Sequence, residues 1–276
     1  MIGELFVGEL LVNNFLQQFI PTFNLFFQVI TLFGHPALWL LIATILFWLG
    51  KEKQSFTLVS IMLFSTVIAG MLKFIVARPR PTSLIVLDST PTQLSFPSGH
   101  STLAATIYSF FENKVFPKER VLLLILTLLT AISRLYLGVH YISDVFAGLL
   151  LGYLIGKLLL KLEKKIKVSE IKITKFKEEK ELFALFIAAI ILLLFLPDNF
   201  SLGYAILGYY FGFVLYRHKK MKMRNKKTGL LFGTIILAII TFGAYTSTGL
   251  ISNGLFFIAG CFVTIIWPLA TKKFNN

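Results

Sequence analysis

The chain has 276 residues, 56% of them hydrophobic and only 14% charged, with a mean hydropathy of +0.79 and a formal net charge of +14. A soluble domain carries roughly 25% charged residues. Here apolar runs of about 18 residues recur and alternating ten-residue strands do not, which excludes a soluble enzyme and a membrane β-barrel and leaves an all-α polytopic membrane protein. The positive charge does not read as nucleic-acid binding: nine lysines fall in 157–180 and seven Lys/Arg in 217–227, between apolar runs and without a recognisable binding module, so they read as topology and contact with anionic headgroups.

Residues 2–33 are apolar but broken by Asn13, Asn14, Gln17, Gln18, Pro21 and Asn24, a spacing that predicts an amphipathic interfacial helix rather than a clean span. Glu4 and Glu9 with no early Lys or Arg make a poor secretory signal, so the first spans are expected to do the targeting. Spans are predicted over 34–49, 55–75, 98–112, 120–136 and 142–160, with a proline-rich loop at 76–97. A basic linker at 161–181 precedes further spans near 182–196, 200–216, 229–245 and 250–270, nine in all. The chain therefore divides into a motif-bearing part, 1–160, the linker 161–181, and an accessory part, 182–276. With nine alternating spans the basic connections at 50–53, 113–120, 161–181 and 217–228 and the tail after 271 share one side. The positive-inside rule makes that side, and the C-terminus, cytoplasmic, and the N-terminus extracytoplasmic. Gly148, Gly152 and Gly156 form a small-residue row on the fifth span, which predicts close helix packing, internal or dimeric. Cys261 lies alone in an apolar run and says nothing of redox compartment.

Three stretches on the extracytoplasmic side carry the chemistry: Lys73 to Arg80-Pro81, Pro97-Ser98-Gly99-His100, and Ser133-Arg134 to His140 and Asp144. His140 and Asp144 are four residues apart, a spacing that puts both on one face at the start of a helix. The carboxylate can then orient the ring and leave its other nitrogen free to attack phosphorus, although a purely structural His–Asp pair has the same spacing. Ser98 and Gly99 open a helix whose free amides and dipole suit an anion, and His100 beside them is a candidate general acid. Lys73, Arg80 and Arg134 are cations on a face where the positive-inside rule disfavours them, and they can balance charge on phosphoryl oxygens. Ser133 reads as a local backbone bond, Arg78 as a headgroup or loop-packing residue, and Asp88 as a solvated loop residue or a gate. His35-Pro36 reads as the start of the first span and His218 as part of a basic loop. No carboxylate cluster or Cys/His set has metal-ligand spacing, so neither a metal nor another cofactor is expected.

Together the stretches match Lys-x6-Arg-Pro, Pro-Ser-Gly-His and Ser-Arg-x5-His-x3-Asp at every position, in order. This resembles the tripartite signature of the type-2 phosphatidic acid phosphatase (lipid phosphate phosphatase) superfamily, over residues of about 55–150. The resemblance implies a helical core of the phosphatidic acid phosphatase/haloperoxidase type and a phosphohistidine mechanism. It implies His140 as nucleophile, Asp144 as its partner, His100 as acid and base, and Lys73, Arg80, Ser98, Gly99 and Arg134 as phosphate ligands. The family also holds soluble acid phosphatases and vanadium haloperoxidases, which the hydropathy here rejects. Residues 182–276 depart from the compact bacterial form, and nine spans with an outward N-terminus are similar to the glucose-6-phosphatase and sphingosine-phosphate phosphatase branches. The expected protein is a lipid phosphatase of a bacterial cell membrane, acting on an isoprenoid diphosphate such as undecaprenyl diphosphate, on phosphatidic acid or on phosphatidylglycerol phosphate. A phosphotransferase or sugar-phosphate hydrolase using the same residues, and a lipid-binding or transport protein, stand as alternatives. Charged residues are missing from the middles of the later spans, which counts against transport.

Overall fold

A computed structural model describes residues 8–20, 22–88, 92–166, 201–218 and 226–273. The expected linker beyond 166 and the span at 182–196 lie outside them. The described residues are helical, and their one β-feature is an isolated bridge between Pro79 and Leu94. Two compact units divide the chain: Met1–Leu38 with Phe64–Ile166, and Trp39–Leu63 with Lys167–Asn276.

The first unit contains α1 (Leu10–Gln17), α2 (Asn24–Thr31), a 3-10 turn (Leu32–Gly34), the later part of α4 (Glu52–Val76), α5 (Gly99–Phe111), α6 (Pro117–Tyr136) and α7 (Ile142–Ile166). The single expected N-terminal amphipathic helix is two short helices. Their outward face is apolar, with Leu11 and Phe15 exposed, and α1 turns its polar face inward: Asn13 is fully buried. α5 and α7 run side by side in the same direction. Gly148, Gly152 and Gly156 are the reason they approach so closely: a Cβ at each would strike Ser98 and Ser101, Thr102, or Ser109 of α5. The small-residue row is thus an internal contact. The other ends of these helices are tied by ion pairs of Lys157 with Glu112 and Lys114 with Glu163.

The second unit holds α3 (Pro36–Trp48) from Trp39 on, the start of α4, α8 (Ser201–His218), α9 (Lys226–Thr246), α10 (Gly249–Cys261) and α11 (Trp267–Lys273). Pro36 opens α3, a position where its missing N–H costs nothing. Gly208 and Gly260 let α8 and α10 touch backbone to backbone. A π-helical turn at Phe262–Ile266 joins α10 to α11. Pro268 explains it, because it cannot donate the helical hydrogen bond to Thr264. Buried tyrosines carry the polar bonds of this unit: Tyr209 Oη lies 2.6 Å from Ser55 Oγ, and Tyr210 Oη lies 2.7 Å from Ser60 Oγ. Tyr216 Oη donates to Glu52 Oε1 at 2.7 Å.

Three helices are long and apolar enough to cross a membrane, Glu52–Val76, Ile142–Glu163 and Gly249–Ala270, or four if the bent pair Asn24–Gly34 and Pro36–Trp48 is one span. The nine predicted spans are therefore not all matched by spanning helices among the described residues. α3 and α5 have 13 residues each. At 1.5 Å per residue such a helix covers about 20 Å, short of a hydrocarbon core of about 30 Å.

Candidate active site

Every predicted site residue lies in the first unit, where four helix ends meet. α4 and α6 arrive with cations in their last turns, Lys73 and Arg134, while α5 and α7 depart. Two helix N-termini and their positive dipole ends thus stand beside two cation-bearing C-termini. The α5 start is fixed directly to the α7 start by the Ser98 amide, which donates to the Asp144 carbonyl at 3.0 Å.

α4 stops at Ala77, whose φ of 49° leaves the helical region. The loop then doubles back. Ser95 N donates to the Arg78 carbonyl at 2.8 Å and Arg80 N to the Gln93 carbonyl at 3.1 Å. Lys73 holds the loop from below, its ammonium donating to the carbonyls of Leu94, Ser95 and Pro97 at 3.2, 3.0 and 2.8 Å. An ammonium has three protons, so as a phosphate ligand Lys73 must release one of these carbonyls.

Arg80 reaches the expected nucleophile. Its Nη1 donates to the Val139 carbonyl at 2.6 Å and lies 3.2 Å from His140 Nε2, while Nε donates to the Thr92 carbonyl at 2.8 Å. A guanidinium has donors only, so Nε2 is the accepting, unprotonated nitrogen and the ring proton belongs to Nδ1. Nδ1 sits 3.4 Å from Asp144 Oδ2, near the carboxylate but without hydrogen-bond alignment. His140 is 2% exposed. Burial, then Arg80, Lys73 and Arg134, hold its pKa well below the usual histidine value, which keeps the ring neutral. Burial, then Arg134, lower Arg80 to about 10, so it remains a cation at neutral pH.

The expected shared helix face of His140 and Asp144 is corrected. α7 begins at Ile142, so His140 precedes the helix. Asp144 instead reaches back as the acidic member of a capping box, its Oδ2 accepting from Tyr141 N at 2.9 Å. The turn into His140 needs Gly138, at φ +73°, where a Cβ would strike the Ile85 carbonyl.

Arg78 is the larger correction. It is neither a headgroup contact nor loose loop packing. Its Nη1 donates to Asp144 Oδ1 at 2.9 Å and to Ser143 Oγ at 2.6 Å, its Nη2 donates to Glu9 Oε1 at 2.9 Å, and the guanidinium stacks 4.0 Å over the Tyr141 ring. Glu9 completes the ring of contacts by accepting from Ser143 N and Oγ. Burial alone would raise the Glu9 pKa, but the bonds from Ser143 and Arg78 outweigh it and hold the carboxyl low. Asn13 clamps the same turn, donating to the carbonyls of Leu135 and His140 at 3.0 and 2.9 Å. Gln17 donates to the carbonyls of Ile85 and Tyr136 at 2.8 and 3.1 Å.

Arg134 is 1% exposed, so it is no snorkelling interfacial residue. Its Nη1 donates to Thr31 Oγ1 and to Asp88 Oδ2, both at 2.7 Å, which makes Asp88 an ion-pair partner rather than a solvated loop residue. Its Nε is buried without a hydrogen-bond partner among the described residues, a donor that an anionic ligand would satisfy. Ser98 caps α5, accepting from Ser101 N and Oγ. Gly99 next to it is open, since a Cβ there would meet nothing within 4 Å. Ser133 bonds the Thr130 carbonyl at 2.6 Å, as expected. His100 follows in the first turn of α5, and the His35 ring lies 5.5 Å from it, centroid to centroid.

Sequence reasoning missed Arg78, Glu9, Asn13 and His35. Two signals were present. Arg78 stands two residues before Arg80, in a stretch whose cations the expected topology places on the side that the positive-inside rule disfavours. Glu9 is a carboxylate in a stretch that carries no cation before Lys51.

The arrangement offers an unprotonated imidazole nitrogen beside a guanidinium, a second imidazole at a helix start, and unspent donors around them. That is equipment for attack on a phosphoryl group. Among the described residues no group of three or more His, Cys, Asp or Glu side chains is placed to hold a metal ion.

A family model described as the PAP2 superfamily matches residues 54–167. The undecaprenyl-diphosphatase of Sulfolobus acidocaldarius is 30% identical over 152 residues, covering 52% of this chain and 72% of that protein. Phosphatidylglycerophosphatase B of Bacillus subtilis is 34% identical over 122 residues, covering 40% of this chain and 59% of that protein. The crystal structure of a transmembrane PAP2-type phosphatidylglycerolphosphate phosphatase from Bacillus subtilis superposes with a TM-score of 0.51 at 26% identity, over 58% of this chain and 87% of that one.

Proposed function

The chain belongs to the PAP2 superfamily, and from that premise we propose that it is an integral membrane phosphatase that hydrolyses a lipid phosphate or isoprenoid diphosphate through a phosphohistidine. Its relatives' names support that substrate class: one acts on undecaprenyl diphosphate and another on phosphatidylglycerol phosphate. The observation that carries the reading is the contact of Arg80 with His140 Nε2 in a buried pocket of cations.

In the proposed cycle a phosphate oxygen takes the Arg80 guanidinium, and phosphorus faces Nε2. Nε2 attacks, the bond from phosphorus to the leaving oxygen breaks, and His100 gives that oxygen a proton. Asp144 stabilises the charge that develops on the His140 ring through Nδ1. Water then attacks the phosphohistidine, His100 takes its proton, and the bond to Nε2 breaks to release inorganic phosphate. The Arg80 and Arg134 guanidiniums, with the Ser98 and Gly99 backbone at the α5 start, compensate the charge spread over the equatorial oxygens. These groups do the work that a metal would otherwise do, so the proposed reaction is metal-independent.

The site opens to the extracytoplasmic face of a cell membrane, with the C-terminus cytoplasmic, because basic residues concentrate in the connections on the opposite side. A nine-span topology, with 1–160 as catalytic core and 182–276 as an accessory region, fits the same charge pattern. The test is phosphate release from a panel of detergent-presented lipid phosphates in chelator. Wild-type turnover that His140→Ala abolishes is expected. A strict magnesium requirement overturns metal independence, and transfer of phosphate to an acceptor without release of inorganic phosphate makes the protein a phosphotransferase.

A further inference from the structure

Four histidines occur in the chain, and the cycle above uses His140 and His100. His35 stands beside them. The residue before Pro36 is pushed into extended backbone, φ −90° and ψ 130°, and there its ring caps α3, with Nδ1 accepting from the Ala37 amide at 3.2 Å. An acceptor nitrogen carries no proton, so in the neutral ring the proton sits on Nε2. His35 therefore presents one N–H donor with a fixed tautomer.

Its position is set from two sides. Gly34 packs directly on the start of α5, where a Cβ would meet the His100 carbonyl at 2.6 Å and His100 Cβ at 2.8 Å. Thr31, one turn earlier, accepts from Arg134. The His35 ring is half-buried, 5.5 Å from that of His100 and inclined to it by 52°. In the proposed cycle His100 is the general acid, so a ring beside it is beside the leaving group. A lipid alcohol offers that donor only carbon beyond its one oxygen. The leaving group of a diphosphate offers further charged oxygens.

We propose that His35 binds the leaving phosphate of a diphosphate substrate through Nε2–H and so favours diphosphates over monophosphates. The inference rests on the phosphatase reading above and narrows its substrate class. Two substitutions separate this role from the cap. His35→Asn keeps a side-chain oxygen where Nδ1 caps α3, since Asn is among the best N-caps, but it removes the distal donor. His35→Gln places an amide N–H near the position of Nε2 and gives up the cap.

The experiment measures kcat/KM in detergent for an isoprenoid diphosphate and the matching monophosphate, and inhibition by methylenediphosphonate and by inorganic phosphate. His35→Asn is expected to lower the diphosphate-to-monophosphate ratio by about 10- to 100-fold, the scale of one hydrogen bond to a charged group. It should weaken methylenediphosphonate more than phosphate by a similar factor, and His35→Gln should retain most of the preference. Equal losses on both substrates, or a larger loss of preference in His35→Gln than in His35→Asn, reduce His35 to a structural cap and overturn the inference alone. A wild type that releases phosphate from no lipid phosphate overturns the phosphatase reading and this inference together.

Discussion

The two compact units bury different kinds of polar group. The first hides Arg78, Arg134, His140 and Asp144 almost completely, while the buried polar side chains of the second, among the described residues, are Thr44, Ser55, Ser252 and Thr264, with the hydroxyls of Tyr209, Tyr210 and Tyr216. Neutral hydroxyls need one partner each to settle in an apolar interior, and Ser55, Ser60 and Glu52 supply it. Buried charges are far more expensive, and a paired one stabilises a fold little better than well-packed apolar residues would. The second unit is built as packing demands. The first carries a concentration of charge that packing alone does not explain, and the proposed chemistry does.

That contrast can be broken by substitution. The largest effects belong to the two histidines: His140→Ala should remove phosphate release altogether, and His100→Ala should lower kcat by the roughly 10²–10⁴-fold typical of lost acid–base catalysis. Both should leave the thermal midpoint in detergent near that of wild type. Activity surviving in His140→Ala would mean that the buried charge is structural.

Arg78→Ala comes next. It strands Asp144 and Glu9 without their common partner, and breaking a buried pair costs about 3–5 kcal/mol. Thermal unfolding in detergent should show that loss, with activity falling in parallel. Arg78→Lys should recover part of the stability, since one ammonium cannot span Ser143, Asp144 and Glu9 as the forked guanidinium does.

A third measurement is the pH profile. His140 is held well below the usual histidine value by burial and by Arg80, Lys73 and Arg134. The acidic limb of kcat/KM from this group should therefore lie below about pH 6.5. Arg80→Gln removes a neighbouring cation and should move the limb upward. The stability linkage has the matching sign. Below about pH 6.5 the unfolded chain gains a proton on this residue and the folded chain does not, so stability falls with pH down to the lowered value.

The smallest effect is expected in the second unit. Tyr209→Phe deletes one hydroxyl, and Ser55 Oγ keeps its bond to the Ala43 carbonyl at 2.6 Å. With no partner stranded, the cost should be about 1 kcal/mol, seen as a small drop in thermal midpoint. A selective loss of activity in this variant would erase the contrast between the units.

Much of the site was readable in the chain. Lys73, Arg80, Ser98, His100, Arg134, His140 and Asp144 stand in short motifs at helix ends, and hydropathy periodicity locates helix ends to within a few residues. What the motifs could not show was how the cations are held. Lys73 spends its protons on carbonyls, and Asp88 and Thr31 hold Arg134. These partners lie between 21 and 103 residues away in sequence.

By itself the sequence determined the helical class, the three motif stretches and the connections in which basic residues gather, because these depend on composition and on spacing within one helix or turn. Only the tertiary structure decided that Arg78 and Glu9 brace Asp144, that Asn13 clamps the His140 turn, that the glycine row faces α5, and that His35 stands beside His100. Each of those is a contact between segments far apart in the chain. Hydrogen-bonding capacity is written in a residue's type, but its partner is chosen only when helices pack and bring two distant groups within about 3 Å.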